Sequence, residues 1–264
     1  MRGLSSESAG PPGEAALSAI VITRNEEANI GECLASVSFA REILVVDSGS
    51  TDATVSLARA AGARVVETAD WPGFGPQKNR ALDQASQPWV LSIDADERVT
   101  PELRAEILAV VNDPAAAADV WDMPRRSSYC GQYMAHSGWY PDRVTRLFRR
   151  GTARFSDDLV HERLLTQVPP AHLRSDLLHR SFPDLESVLD KMNRYSTAGA
   201  LRMFAQGKRA TPATAALHGL WAFIRTYVLQ RGFLDGRMGF LLAVSNAEGT
   251  YYRYLKLWLL RRGA

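Results

Sequence analysis

Disulfide chemistry has little to work with in this chain, because Cys33 and Cys130 are its only cysteines. Two thiols make no stapled framework, so the composition points to a reducing compartment and a fold held by its core. A secretory apolar segment is missing as well: Met1 to Glu14 is rich in Ser, Gly and Pro. That start reads as a disordered leader, residues 1–16, of a cytosolic protein. The nearest thing to a membrane span, Thr214 to Leu229, is interrupted by His218 and Arg225 and is a poor one. Internal repeats are also absent.

The 264 residues are 46% hydrophobic, enough to fill the core of one α/β domain with an extension. The formal charge of +2 hides an asymmetry, since the chain from Lys191 onward carries +10 and the remainder −8. Such a tail points to an anionic surface, either a membrane or a nucleic acid.

From Leu17 the pattern alternates strand and helix. Ala19 to Thr23, Glu42 to Asp47, Arg64 to Glu67 and the run ending at Ile93 read as strands. Between them Glu26 to Val37, the segment from Asp52 to Gly62, and Gln77 to Gln84 read as helices. Thr100 and Pro101 start a further helix to Val111, as N-cap and first helical residue. Repeated βα units imply a mostly parallel sheet with helices on both faces. Beyond Asn112 the rhythm changes: Val120 to Pro124 and Val144 to Phe148 are strand-like, and Gly151 to Arg180 is irregular. Asp184 to Gln206, Thr214 to Leu229 and Thr250 to Arg262 then read as amphipathic helices. The expected organisation is an α/β domain over 17–180 and a basic helical region over 181–264.

The stretch Val90 to Arg98 carries the clearest chemistry. Its first residues suit a buried parallel strand, and Asp94 and Asp96 follow where that strand ends, at the ligand crevice of an open α/β sheet. Two carboxylates one residue apart repel each other, so a hard cation such as Mg²⁺ or Mn²⁺ between them explains the pair. An acidic turn before a helix is the plainer alternative.

Ile22-Thr23-Arg24-Asn25-Glu26-Glu27, Val45-Val46-Asp47-Ser48-Gly49-Ser50-Thr51-Asp52 and Asp94-Ala95-Asp96-Glu97 stand in this order at successive strand ends. Together they resemble glycosyltransferase family 2, which implies a GT-A type domain binding a nucleotide sugar. Gly138-Trp139-Tyr140-Pro141-Asp142, Arg146-Leu147-Phe148-Arg149-Arg150, Val160-His161-Glu162 and Gly232-Phe233-Leu234-Asp235-Gly236 resemble bacterial lipopolysaccharide inner-core β-1,4-glucosyltransferases. The usual Pro-Thr-Tyr-Asn start is replaced here by Ile22-Thr23-Arg24-Asn25, and the Gln-x-x-Arg-Trp signature of processive members is absent. Transfer of a single sugar is therefore expected.

The resemblance implies an inverting transfer of one hexose, glucose from UDP-glucose, onto a glycolipid saccharide acceptor, with no nucleic-acid partner. It places Thr23, Asn25 and Glu26 in the nucleotide pocket. Asp47 would accept the N3–H of uracil, although it also suits an Asx turn opening its loop. Lys78, Asn79 and Arg80 follow a Gly/Pro loop near a helix start, where a cation can face a diphosphate or sit on an exposed helix face. Asp96 is the expected closest metal ligand, with Asp94 binding the ribose or reaching the metal through water. An inverting displacement also needs a carboxylate base. Glu162 ranks first, Asp142 second and the pair Asp157 and Asp158 third, while His161 and His179 are candidates to complete the metal shell.

Other classes fit less well. Phosphatases using Asp-x-Asp need Thr or Val where Arg98 stands, and nucleotidyltransferases need a Gly-rich loop where Thr23-Arg24-Asn25 stands. A non-catalytic scaffold that binds sugar nucleotide or membrane remains an alternative. Finally, Tyr251, Tyr254, Leu255, Trp258 and Leu259 can share one side of a terminal helix that also carries Arg253, Lys256, Arg261 and Arg262. This helix is expected to lie in an anionic membrane interface at the inner face of the cytoplasmic membrane, or else to cover the core.

Overall fold

Strand β1 (Ala15–Thr23), buried along nearly all its length, is the middle of a parallel group. It pairs on one side with β2 (Ala40–Asp47), which pairs in turn with β3 (Arg64–Glu67), and on the other side with β4 (Trp89–Ser92). Helices α1 (Ile30–Ser36), α2 (Thr54–Ala60) and α3 (Phe74–Gln84) return the chain between successive strands. The period of two decides what covers each face. Leu17, Ala19 and Val21 pack with Ile30 and Leu34 of α1 and with Leu103 and Ile107 of α4 (Pro101–Val111). Ile20, Leu44, Val46 and Val90 pack instead with Ala81, Leu82 and Phe148. Burying each such aliphatic side chain contributes about 1.5–3 kcal/mol, so the two faces together fix the register.

The computed structural model describes residues 15–157 and 162–262. Beyond β4 the sheet continues through β8 (Asp142–Arg149), antiparallel to β4, then β6 (Val120–Tyr129), β12 (Leu177–Phe182) and β5 (Glu97–Val99). β7 (Gln132–Tyr133) and β11 (Ala171–His172) pair with β6, and β9 (Ala153–Phe155) with β10 (Leu164–Thr166) forms a separate antiparallel pair. The stretch expected to be irregular over Gly151 to Arg180 therefore holds four short strands. Helix α1 starts at Ile30 and not at Glu26, because Asn25 takes a left-handed conformation (φ 56°) and the chain must turn before it can wind. Residues 1–14 of the expected leader lie outside the described residues, and Ala15 and Ala16 already belong to β1.

The chain divides into two units, Met1–Pro124 with Arg143–Leu178, and Arg125–Asp142 with His179–Ala264. Residues 125–142 thus group with the C-terminal helices, a difference from a single boundary at residue 180. The reason is aromatic: within the second unit Tyr129, Trp139 and Phe182 pack edge to face or tilted at centroid separations of 5.9–6.3 Å, against Val188 and Leu242.

Helix α5 (Leu185–Ala205) starts at its Asp184 N-cap. Helix α6 (Pro212–Ile224) is followed by a five-residue π turn, Arg225–Leu229. Helix α7 runs from Gly236 to Arg262, far longer than the expected Thr250 to Arg262, since glycines in its first half weaken the apolar pattern. At Gly239 a glycine is required, as a Cβ would come within 1.8 Å of the Gly232 carbonyl oxygen. The end of α7 covers a core within this unit: Leu257 is buried, the Tyr254 ring stacks on His218 at 4.0 Å, and Lys256 donates to the Asn193 side chain at 2.7 Å. These contacts fit the expected alternative in which the helix covers a core, while Leu259, Arg261 and Arg262 stay exposed. Among the described residues no helix is long and apolar enough to cross a membrane.

The start of α4 is built as the sequence implies, with Thr100 Oγ1 accepting from the Leu103 N–H at 3.1 Å and Pro101 following the cap. Thr100→Ala should lower stability by about 1 kcal/mol, read as a shift in the urea midpoint at unchanged slope.

Candidate active site

The parallel strands end in register, and their ends hold the polar residues of the first unit. Thr23 sits opposite Asp47 in the β1–β2 ladder, and its hydroxyl donates to Asp47 Oδ2 at 3.0 Å. The Gly49 and Ser50 N–H groups donate to Asp47 Oδ1, and the Ser50 hydroxyl donates to Oδ2. Asp47 is 1% exposed and has four donors for about four lone-pair positions. These bonds fit the Asx-turn description, and a uracil N–H would need one of the two rotatable hydroxyls, Thr23 or Ser50, to give way. The loop after β1 is laced to the loop after β2: the Asn25 N–H donates to Ser50 Oγ, Asn25 Oδ1 accepts from the Thr51 N–H, and the Glu26 N–H donates to Thr54 Oγ1 at 2.7–2.8 Å. Thr23, Asn25, Glu26 and Asp47 thus form one connected group.

At the end of β4 the charges are arranged in alternation. Asp94 Oδ1 accepts from Lys78 Nζ at 2.9 Å, and Oδ2 from Arg146 Nη2 at 2.5 Å. Lys78, only 2% exposed, also reaches Glu162 Oε1 at 2.8 Å, and Arg146 reaches Glu97 Oε1 at 2.7 Å. The second Glu97 oxygen accepts the Asp94 N–H at 3.0 Å, closing the turn. Burial pushes the Asp94 carboxyl up, but Arg146 and Lys78 overcome it and hold the group far below the usual carboxylate range. For Arg146 burial opposes the charge, and Asp94 and Glu97 outweigh it and raise the guanidinium above its ordinary value.

Lys78 is therefore an internal bridge between carboxylates, not a cation presented to a diphosphate. Arg80, its neighbour on α3, lies on the exposed helix face and pairs with Asp70 at 2.7 Å, while Asn79 clamps the Phe155 backbone through both amide atoms. Helix α3 approaches the chain before Glu162 closely: a Cβ on Gly75 would stand 1.8 Å from the Ser156 carbonyl oxygen and 3.5 Å from Glu162 Cβ.

The donor set decides which metal arrangement fits. Among the described residues no group of three or more His, Cys, Asp or Glu side chains is arranged to hold an ion. Both Asp94 oxygens are already taken by cations, so the expected ligation through Asp94 does not match its contacts. Asp96 is half-buried, and its charge is felt by Glu26: burial raises the Glu26 carboxyl, an Asn29 amide at 2.9 Å works against that, and Asp96 raises it again. A like-charged pair beside a strand end suits a Mg²⁺ or Mn²⁺ ion held by one or two carboxylates and completed by substrate phosphates.

The remaining candidates are not joined to this group by any contact among the described residues of the first unit. Asp142 belongs to the second unit, where it accepts from Arg125 at 2.6 Å. His179, also in that unit, shares Nδ1 with the Ser127 hydroxyl at 2.9 Å. Asp157 is exposed, and Asp158 and His161 lie outside the described residues. Sequence reasoning missed the roles of Arg146 and Glu97, which it saw only as letters within motifs. The available signal was a Glu beside an apolar strand end, which buries only with a cation.

Arg146→Gln should cost about 3 kcal/mol, because it removes one partner from a buried ion-pair group. Asp94 has a depressed pKa, so its contribution is present at neutral pH and is lost only as pH falls through that depressed value. The variant should therefore unfold in acid at a higher pH than the wild type, as followed by circular dichroism.

A family profile described as Glycosyl transferase family 2 matches residues 18–165, more than half of the chain. The lipopolysaccharide core biosynthesis glycosyltransferase LpsC of Rhizobium meliloti (strain 1021) is 33% identical over 256 residues, covering 92% of this chain and 92% of its own. A dolichyl-phosphate hexose transferase of Haloferax volcanii is 34% identical over 101 residues, covering 37% of this chain and 43% of its own. Among solved structures, glucosyl-3-phosphoglycerate synthase from Mycobacterium tuberculosis, in complex with Mn²⁺, UDP and glucosyl-3-phosphoglycerate, shares 28% identity at a TM-score of 0.35, over 43% of this chain and 44% of its own. With strand-end motifs, family profile and a near full-length relative in agreement, the chain belongs to glycosyl transferase family 2.

Proposed function

We propose that the chain moves one hexose, glucose from UDP-glucose, with inversion onto a saccharide of the lipopolysaccharide core. The observation that carries this reading is the single buried ammonium of Lys78 between Asp94 and Glu162, which brings the strand-end turn and a candidate base to one place. The acceptor class is supported by the Rhizobium meliloti relative, named for lipopolysaccharide core biosynthesis and aligned along 92% of both chains. A glycolipid acceptor places the work at the inner face of the cytoplasmic membrane.

In this mechanism the loops after β1 and β2 bind the nucleotide, with Asn25 and Ser50 setting their spacing and Asp47 holding the second loop closed. Asp96, with Glu26 beside it, faces the donor diphosphate. A divalent cation held there would supply Lewis-acid stabilisation of the charge on the departing diphosphate. Asp94 orients: its two oxygens fix Lys78 and Arg146, and so fix the turn that carries Asp96. Glu162 takes the proton of the acceptor hydroxyl as that oxygen attacks the anomeric carbon and the bond to the diphosphate breaks. Lys78 holds Glu162 in position for that step.

The direct test is an assay against a panel of nucleotide sugars with lipopolysaccharide from a core-truncated strain as acceptor. Transfer from UDP-glucose in the presence of Mg²⁺ or Mn²⁺ is the expected result, and release of phosphate in place of transfer would replace this reading with a phosphatase. Asp96→Asn conserves shape and removes a ligand charge, so turnover should drop by about a hundredfold or more with the melting temperature unchanged. Activity that persists in excess EDTA would sink the metal assignment.

Glu162→Gln should lose about a hundredfold or more in kcat while UDP affinity, measured by calorimetry, stays within a few fold. Asp142→Asn is the companion variant. If it shows that pattern and Glu162→Gln does not, the base is Asp142.

A further inference from the structure

The second unit exposes a large apolar surface that its core does not use. On α6 the buried positions are Ala215, Gly219 and Ala222, while Leu217, Leu220 and Trp221 on the opposite side are 54–66% exposed. Val228 and Leu229 extend that side through the π turn, at 51% and 60% exposure. Phe233, Leu234, Phe240 and Leu241 are also about half exposed. Rings connect these pieces: Phe223, Tyr227, Phe233 and Phe240 touch in series at centroid separations of 5.4–6.4 Å. Between them opens a hollow of about 590 Å³ with Arg237 at its rim. Contiguous exposed apolar side chains with basic residues among them are a mark of docking surfaces.

Charge identifies the occupant. Between Gly207 and Ala247 the charged residues are Lys208, Arg209, Arg225, Arg231, Arg237 and Asp235. All five cations are exposed. Asp235 is buried and accepts from the Ala135 N–H at 3.0 Å and the Ser137 hydroxyl at 2.8 Å. The exposed charge of the segment is therefore positive only, interleaved with large apolar side chains. A second copy of the chain would bring like charges together, which disfavours self-association through this face. An anionic bilayer offers phosphates to the cations and acyl chains to Trp221, Leu220 and Phe233.

We infer that this face, formed by α6, the π turn and the start of α7, is the surface by which the protein lies on an anionic membrane. The terminal turns of α7, whose composition suggested that role, bury Leu257 and stack Tyr254 on His218, which leaves the face of α6 the larger apolar surface. The inference rests on the proposed function only in its choice of a membrane setting, and its test needs neither donor nor acceptor, so the two can fail separately.

The full-length protein should sediment with vesicles of phosphatidylglycerol and phosphatidylcholine at low salt, and not with phosphatidylcholine alone. Salt at about 0.5 M should release it, as the Debye length falls to a few ångströms. Leu220→Glu with Trp221→Glu should abolish sedimentation, and Arg225→Gln with Arg231→Gln should weaken it about thirtyfold, the loss of two interfacial cations. Both pairs are exposed, so circular dichroism and melting temperature should match the wild type. The tryptophan emission of the wild type should shift to the blue with anionic vesicles, and Trp221→Phe should remove that shift. Wild-type protein that ignores anionic vesicles at low salt, or double variants that bind as well as wild type, would overturn the inference. So would a dimer in light scattering that the Leu220 and Trp221 substitutions disrupt, which would assign the face to a second copy.

Discussion

Placing a carboxylate at the end of a buried strand is costly unless its charge is met, and the first unit is arranged around that requirement. Asp94 follows β4, a strand buried on both faces, and with its side chain only 31% exposed its charge is met by water only in part. Lys78 comes from α3 and Arg146 from β8, so one carboxylate ties together a helix, a parallel strand and an antiparallel strand. Each cation then needs a further anion, and Glu162 and Glu97 supply it. The result is a chain of alternating charges, three carboxylates and two cations, in which each cation is held between two carboxylates. The mostly parallel sheet with helices on both faces, the GT-A type arrangement of this family, brings these segments within reach.

This explains what the sequence made legible and what it concealed. Strand ends were readable because period-two burial and turn chemistry are local: β3 falls at Arg64–Glu67 and α4 at Pro101–Val111, as the pattern implies. Asp94 and Asp96 were visible as a pair for the same reason. Their different environments were not, since Arg146 lies 52 residues from Asp94 and nothing in the spacing says which carboxylate it meets. Lys78 was expected to face a diphosphate or an exposed helix face, because the spacing shows a helix start but not the two carboxylates, one of them 84 residues away, that the folded chain brings to it. For Asp47 the sequence left a base contact and an Asx turn side by side, and its four donors come from three residues that only the folded register assembles.

The second unit was read less well, for physical reasons of its own. Helix α7 spends its first half in close glycine contacts, where small residues replace the apolar stripe that signals a helix. Gly232 and Asp235, seen first as parts of a motif, have structural tasks: the glycine leaves room for the Thr226 carbonyl of the π turn, and the carboxylate secures the backbone at Ala135 and His136. Amphipathic composition alone did not decide which face of which helix meets solvent. The aromatic stack of Tyr254 on His218 turned the terminal helix inward, and left the apolar side of α6 outward.

Gly75 gives the first unit a tolerance that no catalytic side chain supplies. It stands one helical turn before Lys78, against the backbone of Ser156, on the chain that leads to Glu162. The helix and that chain behave as the jaws of a caliper, and the hydrogen atom on the glycine is its stop. A single methyl group there would force the jaws apart, since its nearest neighbour is a rigid carbonyl and not a flexible side chain. The gap across which a lysine reaches a glutamate is thus gauged by a residue with no functional group, and its calibration would change for every reaction run at the site.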